Sequence, residues 1–271
     1  MKDMDDELKR KLKEKLDKGT ISQDLYDEIV KRWDTTEDNE QKEKDSGEEK
    51  ETQEKSERTS TVRVKGLGQF VDVFAREFHV SGSVKVSGNI DVSEMEVSGA
   101  ASVEGNVKVS GELDISGYLL TGGSIVSDSV DLAGRLKAEE IESKKIDCSG
   151  WLAIKKNIKA ESIDIDGIID CEIVDCGSIE INVGSTRGKI GILKCDRVNI
   201  TRQWRRFHSA SIEIDEITCR TADLEGVKAK KIVGEDIILG DGCEVDYVEA
   251  ATLKVSENAV VKKKNVRNVE G

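Results

Sequence analysis

The chain has 271 residues, and its 55 Asp and Glu against 42 Lys and Arg give a formal net charge of −13. Binding to nucleic acid through bulk positive charge is excluded, because affinity for a polyanion comes mainly from neutralised phosphates. Hydrophobic residues make up 37% and aromatic residues 4% of the chain, and proline is absent. Since a globular domain is typically about 45–50% apolar, this composition predicts a narrow or repetitive core.

Residues 1–33 are predicted to form a small α-helical hairpin. Apolar side chains recur there at helical spacing, at Leu8, Leu12, Leu16, Leu25, Ile29 and Trp33. Gly19 is suited to end the first helix and Ser22 to cap the second. A hairpin of this size buries too little surface to be stable alone, so we expect it to dock onto a partner or to self-associate. Segment 19–29 resembles the short hairpin called a SHOCT domain, which implies a role in oligomerisation or localisation.

Residues 34–60 contain no aliphatic or aromatic side chain. Such a segment cannot offset the entropy cost of ordering, and we expect a disordered, charged tether. The chain has no apolar run of about 18 residues or more, and its N-terminus lacks the apolar core of a signal peptide. These features predict a cytoplasmic protein.

The cysteines are expected to be structural. None of them forms a C-x-x-C pair, and they are Cys148, Cys171, Cys176, Cys195, Cys219 and Cys243. A free cysteine in a reducing compartment usually behaves as a small buried hydrophobe. Because only His79 and His208 would be available to complete a zinc site, we expect neither a metal nor a cofactor.

Residues 61–271 are periodic, and the period predicts the fold. A unit of apolar, any, apolar, any and usually glycine recurs twelve times, beginning at Val62, Phe78, Met95, Leu113, Val130, Ile146, Ile163, Ile179, Val198, Ala222, Ile237 and Leu253. The steps run from 15 to 24 residues with a mean of about 17.4. This length predicts an all-β parallel β-helix of about twelve turns, stacked about 4.8 Å apart. Steps that depart freely from 18 disfavour a left-handed hexapeptide helix and favour a right-handed one.

The residue between the two apolar positions points outward, and it is acidic in seven copies: Glu96, Asp114, Asp131, Asp147, Asp164, Glu180 and Asp223. On stacked turns these carboxylates would repel one another, so counter-charges are expected nearby. Lysines on flanking columns, a basic protein or divalent cations could supply them. A solvated face that discourages lateral aggregation is the simpler interpretation.

The two ends of the β-helix are candidate contact surfaces, because unpaired strand edges favour association with another chain. Near the first turn lie Phe70, Phe74 and Phe78, with Leu67 and Val71 beside them. These residues either plug the first turn beneath the hairpin or form a polymerisation surface. The last turn is predicted from Leu253, Val255, Val260 and Val261, and no amphipathic helix follows that would cover it.

The step of 24 residues contains an insertion at 202–208. Its Arg and aromatic residues are of the types enriched at interface hot spots, namely Arg202, Trp204, Arg205, Arg206 and Phe207. The insertion could bind a protein, lipid headgroups or a polymer. Alternatively, its aromatic rings fold back over the β-helix while the arginines pair with neighbouring carboxylates.

The glycine-punctuated turns, and particularly segments 191–200 and 229–249, resemble the bactofilins, which are polymer-forming cytoskeletal proteins. The resemblance covers residues 61–260 and is strongest to the longer variety. It implies a right-handed parallel β-helix that polymerises end to end without nucleotide into non-polar, membrane-proximal filaments. This β-helix is about twice the usual length, and an acidic hairpin stands where an apolar membrane-targeting segment is expected. The N-terminus therefore does not support direct membrane association.

Together these features predict a non-enzymatic structural protein. Its expected partners are further copies of itself and a protein bound through the hairpin, and no nucleic acid. One alternative is a monomeric or dimeric binding module that uses the 202–208 insertion. A second is a β-helical acyltransferase, which is less favoured because a strict six-residue repeat is missing and neither histidine has a convincing catalytic partner.

Overall fold

The computed structural model describes residues 60–184, 188–202 and 211–267. The predicted hairpin at 1–33 and, apart from Ser60, the predicted tether lie outside these ranges. Within them the chain forms strands and no helix, and the strands are β1 Thr61–Val64, β2 Leu67–Phe70, β3 Val73–Val80, β4 Ser83–Val86, β5 Ile90–Val97, β6 Ala100–Val103, β7 Val107–Ile115, β8 Tyr118–Thr121, β9 Ser124–Leu132, β10 Arg135–Cys148, β11 Trp151–Ile165, β12 Ile168–Val183, β13 Lys189–Arg202, β14 Ile212–Leu224, β15 Val227–Leu239, β16 Glu244–Val255 and β17 Val260–Val266.

Every strand pairs in parallel with strand segments one turn away, which makes the chain a parallel β-solenoid. Each turn contributes three short extended segments that stack into three faces. We name them face A, the register partners of Val62–Val64; face B, those of Leu67–Phe70; and face C, those of Val73–Ala75. From β10 to β16 a single long strand passes through all three faces, because the corners no longer interrupt the pairing.

The register predicted from the sequence is confirmed along face A. Val62 pairs with Phe78, Phe78 pairs with Met95, and the series continues through all twelve predicted copies to Leu253. Since eleven pairings join twelve copies, the described solenoid has about eleven turns, slightly fewer than predicted. Its handedness stays a prediction.

The core is a narrow stack of aliphatic side chains. Inward positions such as Ile115, Leu132 and Ile165 are fully buried, while their neighbours along the strand face outward. Each such side chain is worth about 1.5–3 kcal/mol when it is removed from water. A cross-section this small has room for few aromatic rings, which accounts for the low aromatic content.

A row of glycines sets the corner between faces A and B, and its members are Gly66, Gly82, Gly99, Gly117, Gly134, Gly150 and Gly167. A Cβ atom on any of them after the first would lie 2.0 Å from the carbonyl oxygen of the glycine one turn earlier. Glycine is therefore required by the close approach of successive turns. Gly66 begins the row, and a Cβ atom there would meet nothing within 4 Å.

A ladder of polar side chains holds the corner between faces B and C in the first turns. The Asp72 Oδ1 atom accepts a hydrogen bond from the Asn89 backbone N–H at 2.7 Å. The Asn89 Oδ1 atom accepts one from the Asn106 N–H at 2.8 Å, and the Asn106 Oδ1 atom accepts one from the Ser124 N–H at 2.9 Å. Each side chain thus satisfies a corner donor of the following turn, as buried or turn-forming backbone groups require.

Candidate functional site

The acidic residues of face A form one continuous column. Pairing places six carboxylates on consecutive turns, from Glu96 through Asp114, Asp131, Asp147 and Asp164 to Glu180. Asn199 follows, and its side-chain amide donates to the Glu180 Oε1 atom at 3.4 Å. The column of carboxylates predicted from the repeat is therefore present. The Asn199 amide interrupts the series of carboxylates after Glu180.

Two carboxylates of this column have raised pKa values, and burial is the larger cause in both cases. Burial, followed by the charges of Asp131 and Glu96, raises the pKa of Asp114. Burial, followed by Asp147 and Glu180, raises the pKa of Asp164 in the same way. Asp114 is exposed and Asp164 is only partly buried, so the effect on stability is small.

Few counter-charges reach the column directly. The His79 Nδ1 atom lies 2.8 Å from the Glu96 Oε2 atom, and the Lys145 Nζ atom lies 3.8 Å from the Asp147 Oδ2 atom. Among the residues that the structure describes, no group of three or more His, Cys, Asp or Glu is arranged to hold a metal ion. The carboxylates form a line rather than a coordination sphere.

The first turn exposes several large apolar side chains. Leu67 is 92% exposed, Val71 72% and Phe74 67%. They point outward around the rim of the turn, and the register partner of Leu67 on the next turn is the exposed Ser83. Phe74 is thus accessible, as a contact residue must be.

The other two phenylalanines belong to the interior. Phe78 is fully buried because it occupies the inward position of face A, so it is not available to contact another molecule. Phe70 is partly buried and meets the Phe78 ring edge to face, with ring centroids 6.0 Å apart. These two rings pack against each other and fill the interior at this end of the solenoid, next to the turn that exposes the apolar side chains.

The strand edges of the first turn are open among the described residues. β1, β2 and the Val73–Ala75 part of β3 each pair only with the following turn. The inward positions at this end carry Val62, Val64 and Phe70, and none of them is charged. An open edge above an apolar interior is a typical template for pairing with another chain.

The last turn differs from the first turn because one of its inward positions carries a charged residue. Val255 and Val260 are exposed, while Leu253 and Val261 are partly buried against the core. On face C the inward position above Val248 is occupied by Lys264, which is exposed.

Lys262 and Lys263 precede Lys264 in β17, and Lys262 pairs with Asp246 at 2.7 Å. A charged residue in an inward position on an edge strand opposes further pairing.

Only the first residue of the predicted interaction insertion is described. Glu225 accepts a hydrogen bond from the Arg202 backbone N–H at 3.3 Å. The Arg202 guanidinium lies against Gly242 and contributes to lowering the pKa of Asp241, after the larger effects of hydrogen bonds from Ser256 and Asn258.

Arg202 therefore packs along the solenoid beside a carboxylate, as in the second interpretation of this insertion. The other predicted residues, Trp204, Arg205, Arg206 and Phe207, lie outside the described residues.

Face B carries a surface cluster that the sequence interpretation missed. The Arg135 guanidinium lies over the Trp151 ring, 3.8 Å from its centroid, and the Trp151 Nε1–H donates to the Asp170 Oδ2 atom at 3.1 Å. Tyr118 and Ile168 occupy the same outward column on the flanking turns. Their spacing follows the 17-residue period, so aligning the outward positions of this face would have found the cluster.

Comparisons with protein-family models, with curated proteins and with solved structures give no match for this chain. The resemblances to bactofilins and to a SHOCT hairpin therefore rest on the residues alone. The residues that the structure describes contain no helix long and apolar enough to span a membrane.

Proposed function

We propose that the protein is a non-enzymatic structural element that self-associates through the end turns of its solenoid, in the manner expected of a bactofilin-like scaffold. The observation that carries the proposal is the first turn, where Leu67, Val71 and Phe74 are exposed beside strand edges that have no outer partner among the described residues.

Contact with a second copy at this turn would pair the open strand edges and also cover the exposed apolar side chains. Pairing of the open edges would give their backbone N–H and C=O groups partners. Burial of the exposed side chains would contribute about 1.5–3 kcal/mol for each one that is fully covered. The open space at Gly66 leaves room for the corner of another turn. Two first turns that meet across a two-fold axis form the simplest such contact.

The last turn is the weaker contact in this proposal. Two C-terminal ends would bring Lys262, Lys263 and Lys264 of one copy against those of another. Repulsion between exposed charges is screened by salt. Assembly should therefore begin as pairs joined at their first turns and extend into filaments only as the ionic strength rises.

The proposed location is cytoplasmic, and the predicted hairpin at 1–33 would recruit a protein partner. All six cysteines are free, as is usual in a reducing compartment.

The experiment is sedimentation velocity of the full chain over a salt series, with negative-stain electron microscopy. Leu67→Glu should convert the assemblies into single solenoids without changing the β-sheet circular dichroism, because Leu67 is 92% exposed. Val126→Glu is the matched control, since Val126 is also exposed but lies on face C in a middle turn. A wild-type chain that sediments as a monomer at every salt concentration would refute the proposal, as would assemblies that both variants leave intact.

A binding module is the alternative function. The Arg135 and Trp151 stack on face B supports it, since Trp and Arg are common at interface hot spots. Partner capture from a lysate should then depend on Trp151 or Trp204. In the self-association proposal, Trp151→Ala and Trp204→Ala leave assembly unchanged.

A further inference from the structure

One inward column of face C carries three cysteines on consecutive turns. Register pairing places Cys176 beside Cys195 and Cys195 beside Cys219. Parallel strands in register put equivalent side chains one strand spacing apart, about 4.8 Å between backbones. As a result the Cys176 Sγ and Cys195 Sγ atoms are only 3.3 Å apart.

The same column contains serines at earlier turns. Ser127 and Ser143 are register partners, and their Oγ atoms lie 3.4 Å apart. Side-chain contact between successive turns therefore occurs at two places in this column.

The column lies at the margin of the core, where the chain turns from face C to face A. Cys176, Cys195 and Cys219 are 8%, 7% and 9% exposed, whereas Cys148 and Cys243 are fully buried. The three cysteines of this column thus keep a small exposed fraction that Cys148 and Cys243 lack.

The two sulfurs in contact differ in acidity. The hydrogen bond from the Cys176 thiol lowers the pKa of Cys195, and the same bond raises the pKa of Cys176. Burial raises the pKa of Cys171 to about 11 and that of Cys219 to about 12. Within the contacting pair Cys195 is the acceptor of the Cys176 thiol, so it takes the thiolate role in the oxidation described below.

We propose that Cys176 and Cys195 are a site of reversible oxidation by hydrogen peroxide, which joins two consecutive turns through a disulfide bond. The Cys195 thiolate attacks one peroxide oxygen, the O–O bond breaks, and Cys195 becomes a sulfenic acid while the released oxygen leaves as water. The Cys176 sulfur then attacks the Cys195 sulfur, the S–S bond forms, and the S–O bond breaks to release a second water. Two thiols and one hydrogen peroxide thus give one disulfide and two waters.

The geometry makes this bond feasible. Neighbouring strands are about 4.7–4.9 Å apart, within the range of about 4.4–6.8 Å that disulfides span between Cα atoms. The sulfurs must approach from 3.3 Å to about 2.05 Å for the bond to form. An added thiol reverses the bond by thiol–disulfide exchange.

The experiment treats the full-length reduced protein with hydrogen peroxide, then alkylates it under denaturing conditions and maps its peptides by mass spectrometry. The expected product is a monomer that has lost two of its six free thiols, contains a Cys176 to Cys195 cross-link and regains all six with dithiothreitol. Its midpoint of thermal unfolding should rise by several degrees, because the link closes a loop in the unfolded chain.

Three variants make the result specific. Cys176→Ser and Cys195→Ser should each abolish the cross-link while keeping the circular dichroism of the wild type. Cys171→Ser is the matched control, since Cys171 has similar burial but donates to the Ile173 carbonyl oxygen at 3.0 Å instead of to a sulfur; it should cross-link normally. Retention of all six thiols, sulfinic acid at Cys195 without a cross-link, or a bond between Cys195 and Cys219 would overturn the proposal.

Discussion

The glycine row between faces A and B gives the sharpest test of how the solenoid is built. At Gly117 an added Cβ atom would lie 2.0 Å from the Gly99 carbonyl oxygen and 2.7 Å from backbone atoms of Ser98. The same Gly99 oxygen accepts the Tyr118 N–H at 2.9 Å. An alanine at 117 can be accommodated only if the two turns separate by about 1 Å, which breaks that hydrogen bond.

The cost of Gly117→Ala follows from two effects. Overpacking typically costs about 1–3 kcal/mol, and a buried backbone group left without its partner costs about 1–3 kcal/mol more. Alanine also restricts the unfolded chain, and this effect stabilises the folded state by only about 0.4–1 kcal/mol. The net loss lies between about 1 and 5.6 kcal/mol, and a central value of about 3 kcal/mol lowers the midpoint of thermal unfolding by roughly 6–12 °C in a domain of this size.

Gly66→Ala is the matched control for this prediction. The same atom added at Gly66 meets nothing within 4 Å, so the unfolding midpoint should stay level or rise slightly. Both variants would be followed by circular dichroism in the β-sheet region during heating. Equal midpoints for Gly117→Ala and the wild type would refute the close stacking from which the loss was calculated.

Two further predictions concern charge. Burial and neighbouring carboxylates raise the pKa of Asp114, so the folded chain binds this proton more tightly than the unfolded chain. The free energy of unfolding should therefore fall as the pH rises from about 4 through the pKa that Asp114 has in the folded chain. Asp114→Asn should make the denaturant midpoint depend less on pH over this range. An unchanged slope would contradict the raised pKa of Asp114 in the folded chain. At the last turn, Lys264→Leu should increase the mass of assemblies at low salt by removing the charge from an inward position. Sedimentation velocity measures this, and identical profiles for variant and wild type would remove Lys264 as the blocking group.

The face A register could be predicted in full because each copy places two apolar residues at inward positions, and strand alternation turns that pattern directly into pairing. The same pattern already placed Phe78 inward, since it fills the first apolar position of its copy. Leu67 falls at an outward position, which the alternation of β2 would have indicated.

The cysteine column was also encoded in the repeat. Cys176, Cys195 and Cys219 are separated by the same steps of 19 and 24 residues as the face A positions that follow them. The prediction that the cysteines are structural did not include this stacking, because it used only the register of face A.

Register shifts at the corners, as between Ile154 and Asn157, make that alignment uncertain from sequence in other turns. The 3.3 Å contact between the sulfurs depends on side-chain rotamers and turn spacing, which no sequence pattern specifies.

The carboxylate column of face A has a consequence for the ions around the protein. Its six charges repeat about every 4.8 Å, whereas two unit charges in water interact with about the thermal energy at roughly 7 Å. A line of charge denser than this limit behaves as a short polyelectrolyte and gathers a sheath of mobile cations. Two solenoids that approach along face A must compress or share these sheaths, so the ionic composition of the surroundings sets how closely neighbouring solenoids can lie side by side.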